Sequence, residues 1–159
     1  MDTLKVDSFS FAEQFMLWAI RVSLSAGTTT TEANKTLTEA FRLLRVPGAL
    51  RPFLDFVGVA AAAWHNAHYM PDVRCTCCST VGEDEWRLLQ ILAALQRRDL
   101  NLAACWLRNV LPPAGTRILI TSGLQVANSL QQRGCMLSLA ATTLQGATGQ
   151  QHASGAPLH

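Results

Sequence analysis

Apolar positions along this chain recur every three or four residues, the period of a helix that buries one face. Phe11, Phe15, Trp18 and Val22 form the first such run. Ser10 with Glu13 stands before it as a capping box, the hydroxyl accepting from an early backbone N–H while the carboxylate reaches back. The spacing predicts an amphipathic helix over residues 10 to 25, ended by Gly27 and followed by a threonine linker over residues 28 to 31. Thr29 with Glu32 repeats the capping signature. Ala33, Leu37, Ala40, Phe41 and Leu44 then give a second stripe, stopped by Pro47-Gly48.

A third helix is expected over residues 49 to 67, with Leu50, Leu54, Val57, Ala61, Trp64 and His68 on one face. Pro71 prevents its continuation. Thr80 with Glu83 suggests a further box, and Glu83, Asp84 and Glu85 sit where a helix dipole favours negative charge. Trp86, Leu89, Leu92, Ala93 and Gln96 trace the fourth helix. Asp99 or Asn101 caps a fifth, carrying Ala104, Leu107, Val110 and Leu111. Pro112-Pro113 breaks it, and residues 114 to 132 form the sixth, with Leu119, Gly123, Leu124, Ala127 and Leu130 inward and Gly134 as a stop. Met136 to Leu144 suits either a short helix or an extended segment, and Arg117 to Thr121 is the one short β-branched run. The expected architecture is therefore all-α, a compact bundle of about six helices. It is expected as one domain over residues 1 to 145, with a disordered, flexible C-terminal tail over residues 146 to 159 that is rich in Gly, Gln and Ala.

Composition sharpens this picture in two respects. Apolar residues make up 49% of the 159, enough for a core without covalent staples. Charged residues are only 15%, against a usual value of about 25%. So sparse a charge favours a surface covered by a protein partner or by a second copy, a homodimer. The net charge of +2 gives no electrostatic reason to expect nucleic acid or membrane binding. The longest apolar run, Phe56 to Trp64, is far shorter than the roughly 20 residues of a membrane span. No secretory signal pattern opens the sequence, which points to the cytoplasm, where thiols stay reduced and clustered cysteines favour metal or redox roles over disulfides.

Candidate chemistry concentrates in HNAHYMPDVRCTCC, residues 65 to 78, which hold two of the four histidines and three of the five cysteines. His65 and His68, three apart on a helix, present neighbouring imidazoles. Cys75, Cys77 and Cys78 follow after a loop long enough to fold back. Zinc takes four borderline or soft ligands in a tetrahedron, and two imidazoles with two thiolates supply them. Cys75 and Cys77 are the favoured thiolates, since one intervening residue lets both point inward, with Cys78 able to replace either. A closed site would tie the third helix to the fourth, and a thiolate-rich copper(I) site is a variant of the same idea. Without metal, Arg74 and the next helix N-terminus would activate one cysteine for redox chemistry, or Cys75 would pair with His68 as a nucleophile. In the plainest reading, His68 is half-buried on the apolar stripe, His65 serves the helix dipole, and the cysteines are small loop residues. Cys105 reads as a core position.

No Gly-rich phosphate loop, nucleophile elbow or HExxH is present. The tight join between residues 83–97 and 100–111, with Arg87, Arg97, Arg98 and Arg108, resembles a DNA-binding helix pair. Yet LNLAACWLRN carries too few polar side chains to read bases. The expectation that follows is a non-enzymatic intracellular regulatory or adaptor domain with a structural zinc site at residues 65 to 78. A thiol-based redox or metal-dependent enzyme using the same cluster, and a DNA-binding regulator, are the alternatives.

Overall fold

The helical periodicity is realised as six α-helices in a computed structural model that describes residues 3–25, 30–108 and 111–138. These are α1 (Phe11–Leu24), α2 (Thr30–Leu43), α3 (Leu50–Asn66), α4 (Glu83–Gln96), α5 (Leu100–Leu107) and α6 (Pro113–Gln132). No strand occurs among the described residues; the β-branched run at 117–121 lies inside α6. An isolated antiparallel bridge joins Lys5 to Thr80. The expected tail at 146–159 and residues 139–144 of the ambiguous segment lie outside the described residues, as do Gly27, Thr29 and Val110. Met136 to Ser138 are not helical.

Local chemistry sets the helix starts. The Ser10–Glu13 box closes as expected, Glu13 N–H donating to Ser10 Oγ at 3.3 Å and Ser10 N–H to Glu13 Oε2 at 2.7 Å. Asp99 Oδ1 accepts from Leu102 N–H at the start of α5. Pro113 is the first residue of α6, where its missing N–H costs nothing. The start of α4 differs from expectation: Gly82, not Thr80, is the N-cap, and Glu85 reaches back to its N–H.

The helix ends share one device. After α2, α3, α4 and α6 a residue enters the left-handed region, Arg45, His68, Arg98 and Gly134 respectively. The next N–H then bonds back to a carbonyl in the last turn, as Tyr69 does to Trp64 and Asp99 to Ala94. Only Gly134 occupies this position at no steric cost.

Buried apolar side chains form one continuous cluster around α4. Every residue of α4 from Leu88 to Gln96 is buried, so the single stripe read from the sequence is replaced by burial all round. α1, α5 and α6 pack against it, and α3 packs along α6. α1 also contacts α2 and α3. Its buried face therefore runs through Ala12, Met16, Ala19 and Ile20. Phe11, expected on the inner stripe, is 71% exposed. Phe15 and Trp18 lie at the edge, Phe15 meeting Phe41 of α2 with ring centroids 5.3 Å apart. Cys105, read as a core position, is exposed on α5, whose buried residues are Ala103 and Leu107.

Gly123 lets α6 approach closely: a Cβ there would lie 2.5 Å from Leu95 Cδ1 and 3.2 Å from Phe56 Cδ2. Both neighbours are fully buried and have nowhere to retreat. Overpacking costs about 1–3 kcal/mol, against about 1 kcal/mol that alanine gains over glycine inside a helix. Gly123→Ala should therefore lower stability by up to about 2 kcal/mol in denaturant unfolding. A higher unfolding midpoint would refute this packing.

Candidate functional site

Arg21 is a charge within an apolar helix, and it is 2% exposed. Burial of an unpaired guanidinium is prohibitive, so it must find charge and acceptors. It finds Glu85, 0% exposed, through Nε to Oε1 at 2.8 Å and Nη2 to Oε2 at 3.0 Å. The remaining donors reach the loop: Nη1 to the Cys78 carbonyl at 2.8 Å and Nη2 to the Thr80 carbonyl at 2.7 Å. Glu85 in turn accepts from Arg74 N–H and Gly82 N–H, each at 2.8 Å. One ion pair thus joins α1, α4 and both ends of the cysteine loop.

Asp84, also fully buried, organises the entry to that loop. Its Oδ2 accepts from Tyr69 Oη–H at 2.9 Å and from Asp72 N–H at 2.8 Å, while Arg87 donates to Oδ1 at 2.9 Å. Asp72 then accepts from Glu83 N–H at 2.9 Å and pairs with Arg74. The N–H bond from Glu83, aided by Arg74, holds the Asp72 carboxyl below its ordinary 3.8, with burial opposing. A side chain at Gly82 would strike the Asp72 carbonyl, so the loop closes tightly over the start of α4. The chain before α1 straps the far side, Val6 N–H bonding to Ser79 O and Val81 N–H to Leu4 O.

Within this frame residues 75 to 78 make a reverse turn, Cys78 N–H donating to Cys75 O at 3.1 Å. The turn brings the Cys75 and Cys78 Cα atoms to 5.4 Å, and their sulfurs are paired as a disulfide. Cys77 is free, with Sγ 2.8 Å from that of Cys75. All three sulfurs lie within 4.8 Å of one another; Cys75 and Cys77 are exposed and Cys78 is half-buried. The expected convergence of Cys75 and Cys77 is therefore present, and Cys78 joins them both. The i, i+3 spacing of Cys75 and Cys78 across a turn is the signal that foretells their approach.

The imidazoles do not enter this group. α3 ends at Asn66, and His68 follows in the left-handed conformation at φ 52°, exposed, instead of continuing the apolar stripe. His65 is in the last turn of α3 and is exposed. The helical i, i+3 relation that would place both rings on one surface is absent, because the chain turns away at His68. Residues that sequence reading assigned only to the helix dipole, Asp84 and Glu85, instead hold the site. Three consecutive acids opening an apolar helix, with one arginine inside another, are the available signal.

No family model matches the sequence, and no curated protein or solved structure matches the chain.

Two measurements probe this frame. Arg21→Met strands the Glu85 carboxylate in the interior and should cost about 3–5 kcal/mol of unfolding free energy. Arg21→Lys should recover only part, lacking the two-pronged geometry; stability unchanged in Arg21→Met would contradict the assigned role. Tyr69 is the single tyrosine, so phenolate absorbance reports it alone. Its hydrogen bond to Asp84, reinforced by burial and by the Asp84 charge, raises its pKa above the ordinary 10.0, Arg87 opposing. Because the folded-state value is raised, this stabilisation is present below pH 10 and lost as pH rises through the folded pKa. Native protein should titrate above denatured protein; coincident curves would remove the bond.

Proposed function

We propose that this chain is an intracellular regulatory or adaptor domain whose working element is a soft-metal site formed by the thiolates of Cys75, Cys77 and Cys78, with zinc as the expected ion. The observation that carries this reading is the gathering of three sulfurs within 4.8 Å on a solvent-facing turn. Tetrahedral zinc with bonds of about 2.3 Å places its sulfur ligands roughly 3.8 Å apart. The three reduced side chains reach that spacing by small torsional changes about a turn whose backbone is already held. Thiolates select zinc or copper(I) over hard cations. The fourth position falls to solvent or to a donor from a partner, because neither His65 nor His68 belongs to the group.

The frame also bears on what the ion does. The loop is tied through main-chain atoms that bond to Arg21, Glu85, Asp84 and Asp72, with no sulfur involved, which favours a metal that alters the loop's surface over one that defines the fold. Exposed Tyr69 and Met70, the latter 88% exposed, lie in the same loop and support a protein partner. Phe11 and Leu43, both exposed beside Phe15 and Trp18, line an apolar groove elsewhere on the surface. A DNA-reading role draws little support, since α4 is buried from Leu88 to Gln96 and α5 with its C-cap exposes Leu100, Asn101, Cys105 and Arg108. Among the described residues no helix is long and apolar enough to cross a membrane.

Cobalt(II) or zinc(II) titration of fully reduced protein tests the reading, with one ion per chain expected. Cys75→Ser, Cys77→Ser and Cys78→Ser should each weaken binding by about tenfold or more. His68→Gly should bind normally and gain roughly 1 kcal/mol of stability by relieving the left-handed conformation. Failure of the reduced protein to bind, or loss of binding in His68→Gly, would overturn this ligand set.

A further inference from the structure

Resting on that reading of the cysteine turn, we propose that the site is redox-gated: metal binding and the Cys75–Cys78 disulfide are mutually exclusive states of one loop. Two of the three metal-binding sulfurs are the pair that the turn brings together, at a Cα separation of 5.4 Å that lies within the range disulfides require. Oxidation therefore needs no rearrangement of the backbone. It removes two thiolates and leaves Cys77 alone, and a single exposed sulfur does not hold zinc against water.

The frame tolerates both states because it grips the turn through main-chain atoms. Arg21 binds the carbonyls of Cys78 and Thr80, Glu85 binds the Arg74 N–H, and Val6 binds the Ser79 carbonyl. None of these contacts uses a sulfur. The switch is thus local: it changes the charge and chemistry of the surface while α1 and α4 stay in place.

The oxidant is a low-molecular-weight disulfide, RS–SR. The Cys75 thiolate, exposed, attacks one sulfur of RS–SR, forming a mixed disulfide and releasing RS⁻. The Cys78 thiolate, half-buried and across the turn, then attacks the Cys75 sulfur, forming the internal bond and releasing the second RS⁻. Two protein thiolates lose two electrons, RS–SR gains two, and the metal ion departs with its charge unchanged. By linkage, bound metal protects the pair from oxidation to the same extent that oxidation weakens binding.

The test uses the whole chain with zinc(II) and a chromophoric competitor. Reduced protein should bind. After oxidation by glutathione disulfide and removal of the oxidant, affinity should fall by about 100-fold or more, and a phosphine reductant should restore it. Mass analysis of alkylated peptides should show Cys75 joined to Cys78 and Cys77 alkylated, and Cys77→Ser should still form the bond. Circular dichroism of the two forms should agree in helix content. Equal zinc affinity in the reduced and oxidised forms would overturn the gate and leave the metal site standing. Absence of binding by reduced protein would overturn both, and a Cys75–Cys77 or Cys77–Cys78 bond in place of Cys75–Cys78 would overturn the gate.

Discussion

The buried pair of Arg21 and Glu85 is the constraint on which the rest of the site depends. Neither charge is tolerable alone in the interior, and together they still require their remaining hydrogen-bonding capacity to be met. The loop between α3 and α4 meets it. Its carbonyls at Cys78 and Thr80 satisfy the guanidinium, and its N–H groups at Arg74 and Gly82 satisfy the carboxylate. A segment with few apolar anchors is thereby given a defined path. The three cysteines sit in one place because two charges elsewhere demand those main-chain partners.

How much of this was legible in the sequence follows from the range of the interactions involved. Local signals were readable: the Ser10–Glu13 box, the Asp99 cap and the Ala33–Leu37–Phe41 stripe of α2 all appear as the residues suggest. Stripes fail where a helix meets neighbours on several sides. α1 touches three other helices, so its buried face extends past the Phe11–Phe15 line, and α4 is enclosed from Leu88 to Gln96. Cys105 lies two residues from both Ala103 and Leu107, which face inward, and so falls on the opposite, exposed face of α5. His68 was misplaced because a left-handed turn at a residue with a Cβ is not announced by composition.

The cysteine cluster shows the same division. That Cys75, Cys77 and Cys78 converge could be expected from their proximity in the chain; that the histidines stand apart depends on where α3 stops. The acids at the start of α4 illustrate the opposite error, in which a local explanation was sufficient but incomplete. Glu83 is exposed and forms a side-chain pair with Arg87, as a helix-start acid can, while Asp84 and Glu85 are committed to partners across the fold. Nothing within a few residues of them distinguishes the three. The distinction comes from Tyr69, in the loop before α4, and from Arg21, three helices away in chain order.

The enclosure of α4 has a consequence for how the chain comes into being. α1, α2 and α3 precede α4 and α6 in the chain, and the apolar surface they turn toward those two helices is covered only once residues 83–96 and 113–132 have been made. The early product is a set of helices with an unclosed apolar interior and, in Arg21, a cation whose counter-charge has yet to be synthesised. Closure of the core therefore waits on α6, and nascent chains that end before it carry exposed apolar surface of the kind chaperones bind.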